Sequence, residues 1–337
     1  PRFGVIRAMR MGSAMMSQAD APKLEVHFLD IGQGDSALLF CGDEALLIDG
    51  GKVKNNQKLI ARLKELEVDH LDAIICSHPD EDHCGGLSAV LASTRTDAFY
   101  CSVDSWHTKV FSDVTKYVAE QGISVTVPQA GDSFAFGEAS VEFLGPVEDY
   151  GDDPNEGSLV ARVRYGETSF LFTGDMGFEA EDDMLAAGVD VSATVLKVAH
   201  HGSAGSSSTE FLQAVHPQYA VISVGADNDY GHPTEAALNR LAACGIPVYR
   251  TDLLGEIIAV SDGKTVTITS ASNEAPPASD AASQTTGSYG YVGNSSSKVV
   301  HFAGCGKLPG ESNRVYFASL DEALAAGYRK HASCLGS

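Results

Sequence analysis

The sequence has no apolar run of about 18 residues, the length a membrane-spanning helix needs. It is also poor in positive charge. Only 23 Lys and Arg stand against 45 Asp and Glu, a formal charge of -22. A surface of that sign repels phosphate backbones and anionic lipid. This excludes a general nucleic-acid coat or membrane-surface protein, but not a nucleic-acid substrate held by metal ions in a cleft. The 7 cysteines are odd in number and scattered, which argues against a disulfide framework. The opening "PRFGVIRAMRMGSAMMSQADAPK" has no initiator Met and is basic and rich in small residues. Residues 1–22 are expected to be the remnant of an export signal or a disordered start. What is present is a chain of 337 residues, 44% apolar, long enough for one large domain and a small one.

Residues 24–49 alternate short apolar runs with turns ("LEVHFLDI", "SALLF", "ALLID"), the spacing of hairpin-connected strands. In "KNNQKLIARLKEL" the apolar Leu59, Ile60, Leu63 and Leu66 recur at helical spacing. A strand "DAIICS", a helix from Gly86 to Ser93, a strand near Phe99, a helix from Lys109 to Glu120 and a strand "ISVTV" follow. A second antiparallel series comprises "SFAF", "ASVEFLG", "SLVARVRYG" and "TSFLFTGD". A helix at 178–187, a strand "ATVLKVAHHGS" and further helix–strand alternation reach about residue 270. Two strand series, each joined to helices, predict an α/β fold with two sheets face to face and helices outside. Residues 271–290 are Ala, Ser, Pro and Gly without periodicity, a flexible linker. Residues 291–337 form a short separate unit in which basic residues outnumber acidic ones.

The informative stretch is "SHPDEDHCGG", which follows an apolar strand yet carries His78, Asp80, Asp82 and His83. Carboxylates this close repel one another unless a cation neutralises them. Imidazole with carboxylate is a ligand set for Zn²⁺, Mn²⁺ or Fe²⁺. The competing reading is an acidic surface turn. Against it, other donors recur at strand ends: Asp175 in "FLFTGD", His200 and His201 in "VLKVAHHGS", and His232 in "YGHPT". Such a set could complete a two-metal site for phosphoester displacement.

The order "HPDEDH", "TGD", "HHGS" resembles the metallo-β-lactamase superfamily of hydrolases. "LDIGQGDSALL" with "LIDGG" narrows the resemblance to the nuclease-like domain of ComEC-type competence proteins, over roughly residues 23–270. The resemblance implies a four-layer αββα sandwich, with two divalent ions, Zn or Mn, at one edge. It implies His78 and Asp80 on one ion, and Asp82, His83 and one of His200 or His201, with His200 preferred, on the other. Asp175 bridges. Asp80 stands where the superfamily commonly has His, and no His matches a further ligand position, where Asn155 and Ser158 align. One site is therefore oxygen-rich, which favours Mn²⁺ or a loosely held Zn²⁺.

For the remaining residues two readings stay open. Asp49 accepts from a ligand imidazole or caps a turn. Asp30 and Asp35 support the ligands or form turns. Lys197 stabilises a phosphate oxyanion or is a solvated strand-end residue. His232 contacts leaving group or phosphate, or starts a helix. Asp82, Lys197 and His232 are the expected catalytic contacts.

In the tail, "HFAGC" and "HASC" offer His301, Cys305, His331 and Cys334, a set for one structural zinc. A unit this small needs such a staple. The segment resembles the small Ada-type metal-binding domain appended to bacterial nucleases; a zinc-free α/β tail is the alternative.

The expected function is a metal-dependent phosphodiesterase acting on DNA or a small phosphodiester. Alternatives are a hydrolase of a lactone, β-lactam or phosphocholine ester, and a non-enzymatic DNA-binding module. Secreted modular architecture points to an extracellular location; unpaired cysteines point to the cytoplasm.

Overall fold

The computed structural model describes residues 23–226, 228–272, 291–302, 308–309, 314–317 and 320–331. The expected start at 1–22 and most of the expected linker lie outside these residues.

Two mixed sheets form the framework. The first has the order Val266–Ser270, Ile257–Ser261, Leu24–Phe28, Ala37–Cys41, Glu44–Ile48, Ala73–Cys76, Phe99–Cys101, Val125–Thr126. The second runs Val248–Arg250, Tyr219–Ile222, Val195–Lys197, Thr168–Phe172, Val160–Tyr165, Ala139–Gly145, Ser133–Phe136. In each sheet antiparallel hairpins give way to parallel neighbours wherever a helix intervenes.

Side-chain alternation sorts these strands into layers. Along Ala37–Cys41, residues 37, 39 and 41 join the core between the sheets while Leu38 faces the helices. Along Thr168–Phe172, Phe170 and Phe172 enter the same central core and Leu171 faces the opposite helices. Both faces are covered, so these strands read as nearly continuous apolar runs. Outside the first sheet, helix Lys109–Glu120 buries Phe111, Val114 and Val118 on one stripe. Its Thr108 hydroxyl caps the Phe111 amide at 3.3 Å. Outside the second sheet lie helices Phe178–Ala186, Thr209–Val215 and Glu235–Ala243. The four layers are helix, sheet, sheet, helix, as expected.

Two details differ from expectation. The helix–strand alternation expected up to residue 270 ends instead in a hairpin, Ile257–Ser261 with Val266–Ser270, which pairs with Leu24–Phe28 in the first sheet. The strand expected through "ATVLKVAHHGS" covers only Val195–Lys197. After Val198 the backbone leaves the β region, with His200 at φ 50° and His201 at φ 52°. The chain turns there because its imidazoles belong to the sandwich edge rather than to a sheet face.

The tail is a four-stranded sheet in the order Arg314–Phe317, Tyr291–Asn294, Val299–Phe302, Arg329–Lys330, with helix Leu320–Ala325. Its described core comprises Val300, Phe317, Ala323 and Tyr328. Cys305 and Cys334 lie outside the described residues.

Candidate metal centre

The polar residues singled out in the sequence follow the C-terminal ends of strands: Asp30 and Asp35 after Leu24–Phe28, Asp49 after Glu44–Ile48, the acidic loop after Ala73–Cys76, Asp175 after Thr168–Phe172, and the histidines after Val195–Lys197. Strands of both sheets thus deliver donors to one edge of the sandwich, the usual position of a site in an open α/β sheet.

Three motif loops lock together there. Asp35 N donates to the Asp82 carbonyl at 3.0 Å, Gly50 N to the His83 carbonyl at 2.7 Å, and Gly86 N to the Gly51 carbonyl at 2.8 Å. A Cβ on Gly34, at φ +140°, would collide with the Asp82 carbonyl, and one on Gly86 with the Gly50 carbonyl. The glycines of "GQGD" and "HCGG" are therefore there for backbone approach.

Three imidazoles converge inside this frame. The rings of His78 and His83 lie 4.1 Å apart and those of His83 and His201 5.3 Å apart. His83 Nε2 is 3.0 Å from Asp175 Oδ1, and His201 Nε2 is 3.6 Å from Asp175 Oδ2 and 3.7 Å from Asp82 Oδ2. Each ring is held from behind through Nδ1. For His83 the partner is Asp49 Oδ2 at 2.9 Å, and for His201 the Ser223 carbonyl at 2.9 Å. For His78 it is the hydroxyls of Ser77 at 3.0 Å and Ser158 at 3.3 Å.

His78 Nε2 and His201 Nε2 are buried with no hydrogen-bond partner, while the buried His83 Nε2 and Asp175 Oδ1 lie 3.0 Å from each other. Leaving one such atom unsatisfied costs about 1–3 kcal/mol. Buried donors brought together in this way form an arrangement that a cation satisfies. Of the four sets among the described residues whose donor atoms all lie within 4.8 Å of one another, two meet at Asp175: His78, His83 and Asp175, and Asp35, Asp175 and His201. Neutral imidazole and carboxylate oxygen are donors suited to a divalent transition metal, so the residues present fit such an ion.

The electrostatics agree. Burial opposes ionisation of Asp175, yet the His83 and His201 imidazoles hold its carboxyl well below the usual carboxylate range. Burial likewise opposes a charge on His83, but Asp175 and Asp49 carry it well above the ordinary imidazole value. His78 is held well below that value by burial and then by His83. Burial and the neighbouring Asp82 raise Asp80, the self-repulsion expected of this loop.

Several expectations are revised by the geometry. Of the histidine pair, His201 enters the buried cluster; His200 is 31% exposed at the mouth, 3.7 Å from Asp175 Oδ2. Lys197 is not a solvated strand-end residue. Its ammonium is buried, 2.6 Å from Asp35 Oδ2 and 2.8 Å from the Val198 carbonyl. Asp35 is thus the partner of Lys197, and its other oxygen lies 3.1 Å from His201 Nδ1. Asp30 is a turn former that accepts from Gly32 N at 3.3 Å and pairs with Lys58 at 2.8 Å. Asp49 supports His83 and also accepts from Ser77 N at 2.7 Å. Ser158 sits between ligand candidates, its hydroxyl accepting from Asp175 N at 3.1 Å. Asn155 Oδ1 is buried without a partner. Asp80 is 41% exposed, 4.0 Å from His78 Nε2. His232 lies at the mouth, its ring 5.5 Å from that of His200. Its value is pushed down to about 4 by burial and then by His201 and His200. In the tail, His301 and His331 stack at 4.1 Å.

Lys52 carries no motif signature in the sequence. It follows "LIDGG" and its Nζ lies 3.9 Å from Asp82 Oδ2 and 3.4 Å from the Tyr230 hydroxyl. Tyr230, beside His232, carries none either. Only their adjacency in space marks either residue.

A family model described as the metallo-beta-lactamase superfamily matches residues 29–226. The chain is 36% identical over 230 residues to the "Competence protein ComA" of Neisseria gonorrhoeae, covering 68% of this chain and 31% of that protein. It is 31% identical over 251 residues to the "ComE operon protein 3" of Bacillus subtilis, covering 69% and 32% respectively. The chain spans about a third of the length of these curated relatives. Among solved structures, the metallo-beta-lactamase fold protein YhfI from Bacillus subtilis superposes with a TM-score of 0.50 at 14% identity, covering 71% of this chain and 100% of that one. That likeness shows the fold alone.

Proposed function

The chain belongs to the metallo-beta-lactamase superfamily, and from that premise we propose that it is a binuclear-metal phosphodiesterase whose substrate is DNA. The observation that carries the reading is the set of buried donors around Asp175, which lies within reach of donors on both sides. His78 and Asp80, with Ser158 and Asn155 beside them, would hold one ion. Asp82, His83 and His201 would hold the other, and Asp175 would serve both. Divalent ions held there would supply nucleophile activation and Lewis acidity. With Asp49 and the Ser223 carbonyl holding Nδ1, the Nε2 atoms of His83 and His201 would be the ones turned to an ion. His232, neutral near pH 7, sits where it can contact a departing oxygen. The oxygen-rich Asp80 position favours Mn²⁺ or a loosely held Zn²⁺.

DNA is supported by the names of the competence relatives, and cations bound at the edge would offset the repulsion between an acidic protein and a polyanion. Plasmid DNA incubated with Mn²⁺ should be nicked or degraded by the protein and not by its Asp175→Ala variant. Hydrolysis of a lactone or nitrocefin with no cleavage of any phosphodiester would replace this reading with that of a small ester or amide hydrolase, a class the -22 charge accommodates.

The tail reading follows the same logic. The stacked His301 and His331, with Cys305 and Cys334 close in sequence, would hold one structural zinc. A double Cys305→Ser, Cys334→Ser variant of the full chain should lose one zinc per chain by mass spectrometry. An unchanged zinc content would remove the tail site.

A further inference from the structure

With Lys197 committed to Asp35, the mouth of the centre has another cation. The Lys52 side chain is 17% exposed, and its Nζ stands 3.9 Å from Asp82 Oδ2. That is too long for a charge-assisted hydrogen bond, which needs about 2.7–2.9 Å. The ammonium therefore retains donors for another anion. It also lies 5.1 Å from the centre of the Tyr230 ring.

Tyr230 is 60% exposed, the highest value among the large hydrophobic side chains exposed in the described residues. It is nevertheless held in place. Its amide donates to Asn228 Oδ1 at 3.2 Å, and Asn228 in turn donates to the His232 carbonyl at 2.6 Å. The Tyr230 ring lies nearly parallel to that of His232, at 23° and 5.7 Å between centroids. The rings of His200, His232 and Tyr230 thus follow one another outward, edge-to-face and then stacked, with a cation beside the last. The outer face of the Tyr230 ring is left to solvent.

We infer that Lys52 and Tyr230 form a nucleotide subsite beside the metal centre, the ammonium binding a phosphate oxygen and the phenol ring stacking an unpaired base. The inference rests on the phosphodiesterase reading above and narrows its substrate to a strand with accessible bases. Bases in a duplex already stack on one another, whereas every unpaired base offers a π-face to a protein ring.

The test uses the full chain with Mn²⁺ and three substrates: a single-stranded oligonucleotide, its duplex, and an abasic strand of the same length. Wild type should prefer the single strand over both others. Tyr230→Ala should lower kcat/KM on the single strand by about tenfold or more, mainly through KM, and largely abolish the preference over the abasic strand. Tyr230→Phe should keep that preference. Lys52→Ala should weaken single-stranded and abasic substrates alike and lower the salt dependence by about one phosphate contact, with Lys52→Arg restoring part of the loss. Binding of a labelled phosphorothioate strand, followed by fluorescence anisotropy, reports the subsite independently of cleavage. Tight binding without hydrolysis would end the phosphodiesterase reading while leaving the variants to decide the subsite. Failure of wild type to bind the strand, or a Tyr230→Ala variant that still favours bases over abasic sites, would overturn the subsite.

Discussion

The two sides of the metal centre are built differently. On one side His83 and His201 are fully enclosed, their Nδ1 atoms 2.9 Å from the Asp49 carboxylate and 2.9 Å from the Ser223 carbonyl. On the other, His78 leans on two hydroxyls, and its companion Asp80 is 41% exposed and 4.0 Å away. A carboxylate or carbonyl behind an imidazole fixes its tautomer and raises its basicity; a hydroxyl, which both donates and accepts, does so less firmly. The first side is preorganised, and the second has more oxygen donors and more freedom. On the two-ion proposal, one position would be held more tightly than the other, with Asp175 serving both.

The largest effect should come from removing what the two sides share. Asp175→Ala is expected to lower hydrolysis by about a thousandfold or more, since several kcal/mol of metal-derived stabilisation is lost. Metal content should fall on both sides. Full activity with unchanged stoichiometry would mean the shared carboxylate lies elsewhere.

The enclosed side also carries a titrating support. Loop 203–208 follows His201. It is gripped by Glu181, which accepts the Ser207 and Ser208 amides, and by Arg240, which donates to the carbonyls of Ser203, Ala204, Ser206 and Ser207. Burial pushes the Glu181 carboxyl up from 4.5 to about 7, against those hydrogen bonds. A carboxyl raised on folding stabilises the fold fully below its unfolded value and loses that contribution as pH rises through the folded one. Between about pH 4.5 and 7.5 this group should cost on the order of 3 kcal/mol. Glu181→Gln should flatten that part of the pH dependence, read from urea unfolding of the metal-free proteins. Parallel curves for variant and wild type would show that Glu181 keeps its ordinary value.

Cutting the support behind each side compares them directly. Asp49→Ala should weaken metal binding at the enclosed position by about 10–100-fold, the usual cost of losing a partner behind a ligand. Ser158→Ala, behind the open side, should cost less. Competitive titration with a chelating dye distinguishes the two. Equal losses would erase the proposed asymmetry.

Much of this centre was legible in the sequence because its donors sit in short motifs at strand ends. His78, Asp82, His83 and Asp175 could be named from local residue types, and the layers from strand alternation and helical spacing. What stayed hidden depends on direction and partners. His200 and His201 are adjacent letters, and only the left-handed turn at both decides which ring enters the core. Lys197 looked like a free cation until the fold placed Asp35 beside it, 162 residues earlier in the chain. Lys52 and Tyr230 are 178 residues apart, with no signature at either position. The pairing of Ile257–Ser261 with the first strand of the described chain is long-range in the same way.

The smallest and most specific test changes the open side toward the enclosed one. Asp80 begins the short helix Glu81–Cys84 and shares its loop with Asp82. Burial and that neighbour already raise its carboxyl, so the metal-free loop carries repulsion that an ion would relieve. Asp80→His substitutes a neutral nitrogen donor for a negative oxygen donor. Nitrogen ligands favour Zn²⁺ over harder ions, so zinc affinity at the open position should rise and the advantage of Mn²⁺ in activity should shrink, each by a few-fold. Loss of one negative charge should also make the metal-free protein slightly more stable, by about 1 kcal/mol or less given the exposure of this site. Zinc and manganese titrations of wild type and variant, followed by activity in each metal, measure both effects. Identical affinities and metal preference in the two proteins would place Asp80 outside the ligand set, leaving the open position to His78 and its neighbouring oxygens.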